Sequence, residues 1–513
     1  MLKRPAKRVA VGSAAALTWV MLGVVPASAY PGGNGAGAQK VEMGFFEQWG
    51  IYSGFSLANA DNEGEIADLT DLDYAFGGVE PEGGASENSA GVLADPVQPV
   101  QEDPSEPNYN PVVCSDLDVW ADYQDPSLTP ITGTNGEPEP TTASSNLAGN
   151  FEQLAELKAK YPNLKVIMSL GGFNGSAFFS AAASTPAARA AFVSSCIGMF
   201  IEGDPGVVGG YNDDEAFPAT SASQTLLLPN GTTAGLFNGF DIDWEYPCAS
   251  PTANNGATGN LCDYNNSNDR EDMVLLMQEF REQLDTLSQT THQQYVLTAE
   301  MPAGTQNAVN ENPAALAPYV NDEVIMDYDF QGPWAPIGPT NFDSNLYTDP
   351  NAPTTNGEPL ISVDSTVQYY EQHGVAPSQL VVGIPYYGHG WTGVPAGNDF
   401  GLYQSATGPA TAPSGLDSAS GTADYDLLAN LPGYSWHFDP TTGASWLYDP
   451  TTETFWSLEN PAEVYEKALY VDNHGLAGVS IWNLAGDGEN VLTSALTAGL
   501  QQGGPGGSGP GFP

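Results

Sequence analysis

Basic side chains are what this sequence lacks. Of 513 residues only 12 are Lys or Arg, against 62 Asp or Glu, for a formal net charge of −50. Such a chain repels a polyanion, so no nucleic-acid partner is expected. Charge as a whole is also sparse, at 14% of residues, while 41% are apolar. That composition is not that of a disordered polyacid, and it is enough for a large core. Long apolar runs are scarce too. Beyond the first residues nothing approaches the ~20 apolar residues that a membrane span needs, so no membrane partner is expected. Cysteine is limited to Cys114, Cys196, Cys248 and Cys262.

The one apolar run has the form of a processing signal. Lys3, Arg4, Lys7 and Arg8 precede a largely apolar Val9–Val25, which is broken by Gly12, Ser13, Thr18 and Gly23 and ends near Ala27-Ser28-Ala29. A short h-region followed by a small-residue cleavage site favours secretion over anchoring, with residues 1–29 removed and the mature protein extracellular. Losing those four bases takes the net charge to −54. Self-repulsion of that size calls for screening by salt, which points to a saline setting. The cysteines would then mature in an oxidising compartment. Pairing Cys248 with Cys262 closes a loop of about 15 residues, worth about 3 kcal/mol in the chain-entropy treatment, and leaves Cys114–Cys196 as the second bridge. Free buried thiols are the alternative.

Chemistry concentrates in Gly235–Pro247, GLFNGFDIDWEYP. Asp241, Asp243 and Glu245 are spaced by two, and on a strand positions i, i+2 and i+4 project from one face. Leu236, Phe237, Phe240, Ile242 and Trp244 supply the bulk of a buried strand. Three carboxyls on one buried face cannot all stay ionised, which costs folding energy and suits a proton-transferring site. The wet face of an antiparallel sheet, or a divalent-metal site, would also accommodate the spacing.

Read in order, strands are predicted at Val41–Trp49, Leu69–Phe76, Leu164–Leu170, the acid stretch, Tyr295–Met301, Glu323–Phe330, Leu380–Tyr387 and Leu476–Asn483. Helical patterns at Asn146–Lys160, Ala187–Phe200, Asp269–Leu287, Val363–His373 and Pro461–Asn473 alternate with them. Met273, Leu276, Phe280 and Leu284 share one face of the third of these helices. Eight strands alternating with helices predict an α/β fold, a closed (β/α)8 barrel of the TIM type, with the site where the strands end. The Gly-, Pro- and Ser-rich acidic stretch Gly77–Val113 reads as an exposed insertion. Residues 388–457, rich in Tyr, Trp, Gly and Thr, read as a small α+β insertion domain between strands 7 and 8, which leaves 30–387 and 458–500 for the barrel. Residues 501–513 form a Gly/Pro tail.

Several motifs, taken together, resemble the family 18 glycoside hydrolases, the chitinases. Phe240–Pro247 is similar to that family's Asp-x-x-Asp-x-Asp-x-Glu signature, with Asn238 in place of the first acid. Ser169-Leu170-Gly171-Gly172, Met326-Asp327-Tyr328-Asp329 with Gln331, Gly332 and Trp334, Val382–Gly388, and Gly478–Trp482 resemble its third, sixth, seventh and eighth strands.

The resemblance implies a secreted, monomeric, cofactor-free hydrolase without a metal centre that binds chitin and N-acetylglucosamine oligomers. Glu245 would be general acid and base, Asp243 would hold the substrate acetamide, Asp241 would share a proton with Asp243, and Tyr328 would position the acetamide oxygen. Asp329, Met326, Trp334, Trp482, Phe173, Gly172 and Gln331 would line the sugar site. Phe45 and Phe173 stand where tyrosine and tryptophan are common in relatives, and His389 where arginine is. His389 is expected to be a polar residue at the cleft edge, structural rather than catalytic. Trp49, Trp391, Trp436, Trp446 and Trp456 would either line the cleft or fill the insertion domain. Asp263–Asp269 has oxygen spacing like part of a calcium loop but is read as solvated. An endo-β-N-acetylglucosaminidase acting on N-glycans, or a sugar-binding lectin on the same barrel, are the competing functions.

Overall fold

A computed structural model describes residues 39–81, 111–134, 136–138, 147–203, 231–248, 268–354, 360–415 and 418–502. The leader, Cys262, most of Asp263–Asp269 and the tail beyond Gln502 lie outside them, while the first two residues read as tail form the end of the helix Val491–Gln502. Eight parallel strands close on themselves: Val41–Glu47, Asp71–Pro81, Lys165–Gly171, Gly239–Asp243, Val296–Pro302, Asp322–Met326, Leu380–Pro385 and Gly478–Trp482. The first pairs with both the second and the eighth, which completes the (β/α)8 barrel. Alternation divides their side chains. Met43, Phe45, Ala75, Ile167, Val324 and Val381 form an apolar plug inside the barrel. Phe46, Leu72, Tyr74, Val166, Met168, Phe240 and Ile242 point outward into the larger core beneath the helices.

The helices form where capping and periodicity agree. Asp269, Glu271 and Asp272 place negative charge in the first turn of Asp269–Thr291, where the helix dipole favours it. Its Met273, Leu276, Phe280 and Leu284 are all buried. Pro186–Cys196 starts on a Thr185 cap, Val363–Gln372 on Ser362, and Pro461–Asn473 on Asn460 with Pro at its first position. Past Cys196 the predicted helix widens into a π-turn at Ile197–Ile201.

Between the seventh and eighth barrel strands runs a second sheet, antiparallel and six-stranded, in the order Gly408–Pro409, Tyr387–Thr392, Thr454–Leu458, Ala444–Asp449 and Ser435–Asp439, with Thr422–Asp424 paired to Tyr387–Thr392. Trp391, Trp446 and Phe455 pack with Phe342, Val394 and Tyr448 as its own core. Trp456 is buried as well, so three of the undecided tryptophans fill structure, while Trp49 and Trp436 remain exposed.

Two readings need correction. The stretch beginning at Gly77 is not wholly an exposed insertion. The second strand continues to Pro81, and Val112–Asp116 returns antiparallel against it. Alternating buried Val79, Val112 and Cys114 carry this hairpin, a pattern hidden among Gly and Pro. The acid strand ends at Asp243, so strand alternation places Asp241 and Asp243, and Glu245 is placed by the following loop. The disulfide Cys114–Cys196 fastens the hairpin to the helix that ends at Cys196. Cys248 is also disulfide-bonded. Among the described residues no helix is long and apolar enough to cross a membrane.

Candidate active site

Register builds the acid cluster. Asp241 lies opposite Ser169 on one side and Thr298 on the other. Ser169 Oγ donates to its Oδ2 at 2.9 Å and Thr298 Oγ1 to its Oδ1 at 2.7 Å. Burial pushes Asp241 up to about 6, and those two hydrogen bonds hold it back. Asp243 is pushed well above the carboxylate range, first by burial and then by the charges of Glu245 and Asp241. Its Oδ1 has no hydrogen-bond partner among the described residues.

Glu245 is only partly buried. Its N–H donates to Ser176 Oγ at 2.9 Å, while the Ser176 hydroxyl donates to the Gly172 carbonyl at 2.9 Å. One serine thereby ties the loop after the fourth strand to the loop after the third. Burial pushes the Glu245 carboxyl up to about 7, a hydrogen bond to Tyr246 pulls it down, and the charge of Asp329 raises it. The cluster is therefore graded. Asp241 is sealed and hydrogen-bonded, and Glu245 stands at the opening with a proton available near neutral pH.

Two further acids lie within the barrel, and the prediction missed both. Asp73 on the second strand and Glu300 on the fifth are buried, and neither has a partner for either oxygen among the described residues. Burial holds both well above the carboxylate range, reinforced for each by Asp241 and Asp243. A signal was present for one of them: Asp71-Leu-Asp73 repeats the acid spacing by two, whereas Glu300 has no acid two residues away.

The sixth strand stops at Met326, earlier than predicted, and delivers Tyr328 and Asp329 on a loop. The Tyr328 ring meets Tyr387 edge-on at 6.1 Å. Asp329 has φ 57°, and its N–H donates to Asp343 Oδ1 at 2.8 Å. Its Oδ1 accepts from Tyr387 Oη at 2.8 Å and faces His389 Nε2 at 2.7 Å. Burial pushes this carboxyl up, but the His389 contact outweighs it, and Asp329 lies below the usual carboxylate range. No sequence signal marked Asp343, which reaches the site from a loop.

Aromatic rings form a row across the first, second and eighth strands. Trp482, at the end of the eighth strand, stacks on Phe76 at 5.8 Å, and Phe76 stacks in turn on Trp49 at 6.0 Å. Phe45 packs under Trp482 at 5.1 Å. Gly172 has φ +77°, and a Cβ there would lie 2.5 Å from the Phe76 ring, so glycine is what lets the third-strand loop reach this row. Trp334 and Phe173 are exposed, Gln331 is partly buried and Met326 is buried. The peptide bonds Ala75–Phe76, within the second strand, and Glu245–Tyr246 and Trp482–Asn483, just past the fourth and at the end of the eighth, are cis.

The family description glycosyl hydrolases family 18 matches residues 42–487. The chain belongs to this family. Other sequences agree with this placement in family 18. Chitinase A1 of Niallia circulans is 28% identical over 492 residues, covering 94% of this chain and 61% of the relative. Chitinase C of Streptomyces lividans is 29% identical over 467 residues, covering 90% and 59%. The chain thus spans less than two thirds of the length of either. The solved catalytic domain of the psychrophilic chitinase B from Arthrobacter TAD20 is 31% identical, with a TM-score of 0.72 over 91% of this chain and 96% of that one.

Proposed function

We propose that this family 18 hydrolase is a secreted, monomeric chitinase that cleaves β-1,4 links between N-acetylglucosamine units with retention of configuration. The observation that carries the reading is the gradient from Asp241 through Asp243 to Glu245. Burial raises the outermost and least buried acid to about 7, so that it keeps a proton into the neutral range. Glu245 gives its proton to the glycosidic oxygen as the C–O bond breaks. The substrate's own acetamide oxygen attacks the anomeric carbon, in keeping with the substrate-assisted chemistry of family 18. Asp243 accepts the acetamide N–H and offsets the charge of the oxazolinium ion. Asp241 shares a proton with Asp243, so the pair titrates together. Tyr328 positions the acetamide oxygen. Glu245 then takes a proton from water, which opens the ring and regenerates the acid. Asp329, Trp334, Trp482, Phe173, Met326, Gly172 and Gln331 hold the sugars.

A neutral polysaccharide suits a chain of net charge −50, which would repel an anionic one. The sheet from Tyr387 to Leu458 acts as the insertion domain, since Tyr387 and His389 reach Asp329 from it. Secretion rests on the leader pattern, and a saline habitat on the charge.

Glu245→Gln tests the assignment. Hydrolysis of chitin oligomers is expected to fall about 10²- to 10⁴-fold while oligomer binding persists. Normal turnover by this variant would remove Glu245 from its role. A fully deacetylated polymer should remain uncut, because it lacks the nucleophile. Product analysis separates the chitinase from an enzyme acting on N-glycans.

A further inference from the structure

We propose that His389 is a positioning residue whose protonated ring clamps Asp329 toward the groove, so that sugar binding weakens when the ring gives up its proton. The inference rests on Asp329 lining the sugar site, as in the function proposed above. His389 is 3% exposed, whereas the side chain of Asp329 is 56% exposed, so one partner is locked in protein and the other is open to solvent. His389 Nε2 lies 2.7 Å from Asp329 Oδ1 and 3.6 Å from Asp343 Oδ1. All three groups fall within 4.8 Å of one another. Asp329 is held ionised, and burial raises Asp343 to about 7, so that as Asp343 too gives up its proton the two carboxylates need a cation between them, which an imidazolium supplies.

The other side of the ring decides what a lost proton does. Nδ1 faces Thr422 Oγ1 at 3.1 Å, and a hydrogen bond to the Gly421 carbonyl favours the protonated ring. Without its second proton the ring can no longer give Asp329 a charge-assisted bond: a proton kept on Nε2 leaves a weaker neutral one, and a proton kept on Nδ1 leaves a lone pair facing Asp329. Asp343 holds the backbone of the same turn, accepting the N–H of Asp329 at its side chain and that of Phe330 at its carbonyl. Asp329 thus has a fixed backbone and a side chain whose orientation depends on His389 and Tyr387.

The charged and titratable groups around the ring come from each neighbouring element. Asp329 and Asp343 come from the loops after the sixth strand, and Tyr387 from the ring's own strand. Asp424 lies opposite Tyr387 on Thr422–Asp424. Glu459, just past Thr454–Leu458, acts on Asp343 and is itself bridged by buried Lys467. Asp329 in turn acts on Glu245 and Tyr328. Burial pushes the His389 ring down, but Asp343 and Asp329 outweigh it and leave it above the ordinary histidine value.

The test uses the full chain carrying Glu245→Gln, which removes the acid's own titration. Binding of N-acetylglucosamine hexamer should weaken about tenfold or more between pH 6 and pH 9, as expected for one lost charge-assisted hydrogen bond. Adding His389→Arg keeps a fixed charge and should flatten that dependence. Adding His389→Gln should leave binding weak throughout. A flat profile in Glu245→Gln alone, or an unchanged slope with arginine, overturns the proposal. A readout without sugar keeps the two readings apart. The His389 ring, followed by NMR in the parent, should titrate above 6.5 and move down in Asp329→Asn. A midpoint at or below 6.5, or one that Asp329→Asn leaves in place, overturns the clamp even if chitin is cut as proposed. An upward-shifted titration in a protein that binds no oligomer at any pH would support the ring contact and overturn the sugar reading.

Discussion

At the residue scale the site is a set of carboxyls kept from ionising together, and hydroxyl donors set which one holds the proton. Thr298 and Ser169 are the donors that hold Asp241 down against burial. Thr298→Val preserves shape and removes one of them, which raises Asp241 further. A pair that must keep one charge then loses it at higher pH. The expected result is a kcat about tenfold lower, KM little changed, and an acidic limb of the pH–rate profile displaced upward. An unmoved acidic limb in steady-state kinetics on chitin oligomers would mean that Asp241 does not exchange its proton with Asp243. The three acids of the motif were legible because spacing by two is a statement about one face of a strand. Asp73 follows the same rule with Asp71 on the second strand, and Glu300 stands singly on the fifth; only barrel closure brings the two together with the acid strand. Asn238, the departure from the family motif, proves structural. Its Oδ1 accepts from Lys158 Nζ at 2.6 Å and from the Val166 N–H at 3.0 Å, which anchors the base of the acid strand.

At the scale of elements, the eight strands and five predicted helices were legible because each repeats a buried face with its own period. Their ends were not. Glu245, Tyr328 and Asp329 all lie one to three residues beyond a strand, where hydrogen bonds to Ser176 and Asp343 rather than periodicity fix the chain. The hairpin formed by the second strand and Val112–Asp116 was missed for a related reason, since its partner is remote in sequence. That hairpin depends on Cys114–Cys196, which links positions 82 residues apart. Closing so long a loop restricts the unfolded chain, so replacing both cysteines by serine should cost about 2–5 kcal/mol. The check is a lower guanidinium midpoint for the variant than for the parent, both measured without reductant so that the bridge at Cys248 stays closed. Equal midpoints would show that the hairpin and helix hold together without the bridge. Gly172→Ala acts on a loop instead. Its Cβ would meet Phe76 while φ stays at +77°. Turnover should fall at least about tenfold as the row from Trp482 to Trp49 is displaced, at a stability cost of about 1–3 kcal/mol.

At the scale of the whole molecule, acidity acts in two ways that salt and pH can separate. The chain as a whole carries a net charge of −50, which repels itself and which added salt screens. Some acids are buried and raised by that burial: Glu42 and Glu311 to about 8, and Asp116 to about 7. A carboxyl whose folded value is raised binds its proton more tightly in the native state than in the unfolded chain. Its stabilising contribution is complete below the unfolded value of about 4 and is lost as pH rises through 7 to 8. Stability should therefore fall between pH 5 and pH 8 by an amount on the order of several kcal/mol. Buried groups feel little of the ionic atmosphere, so molar NaCl should raise the melting temperature at both pH values and leave the slope between them in place. Calorimetry at pH 5 and pH 8, in millimolar and in molar salt, reads both effects. A melting temperature that climbs toward pH 8 would mean these buried acids ionise on folding. A melting temperature indifferent to salt would mean the surface charge is not what limits the fold, and the saline setting would lose its physical basis.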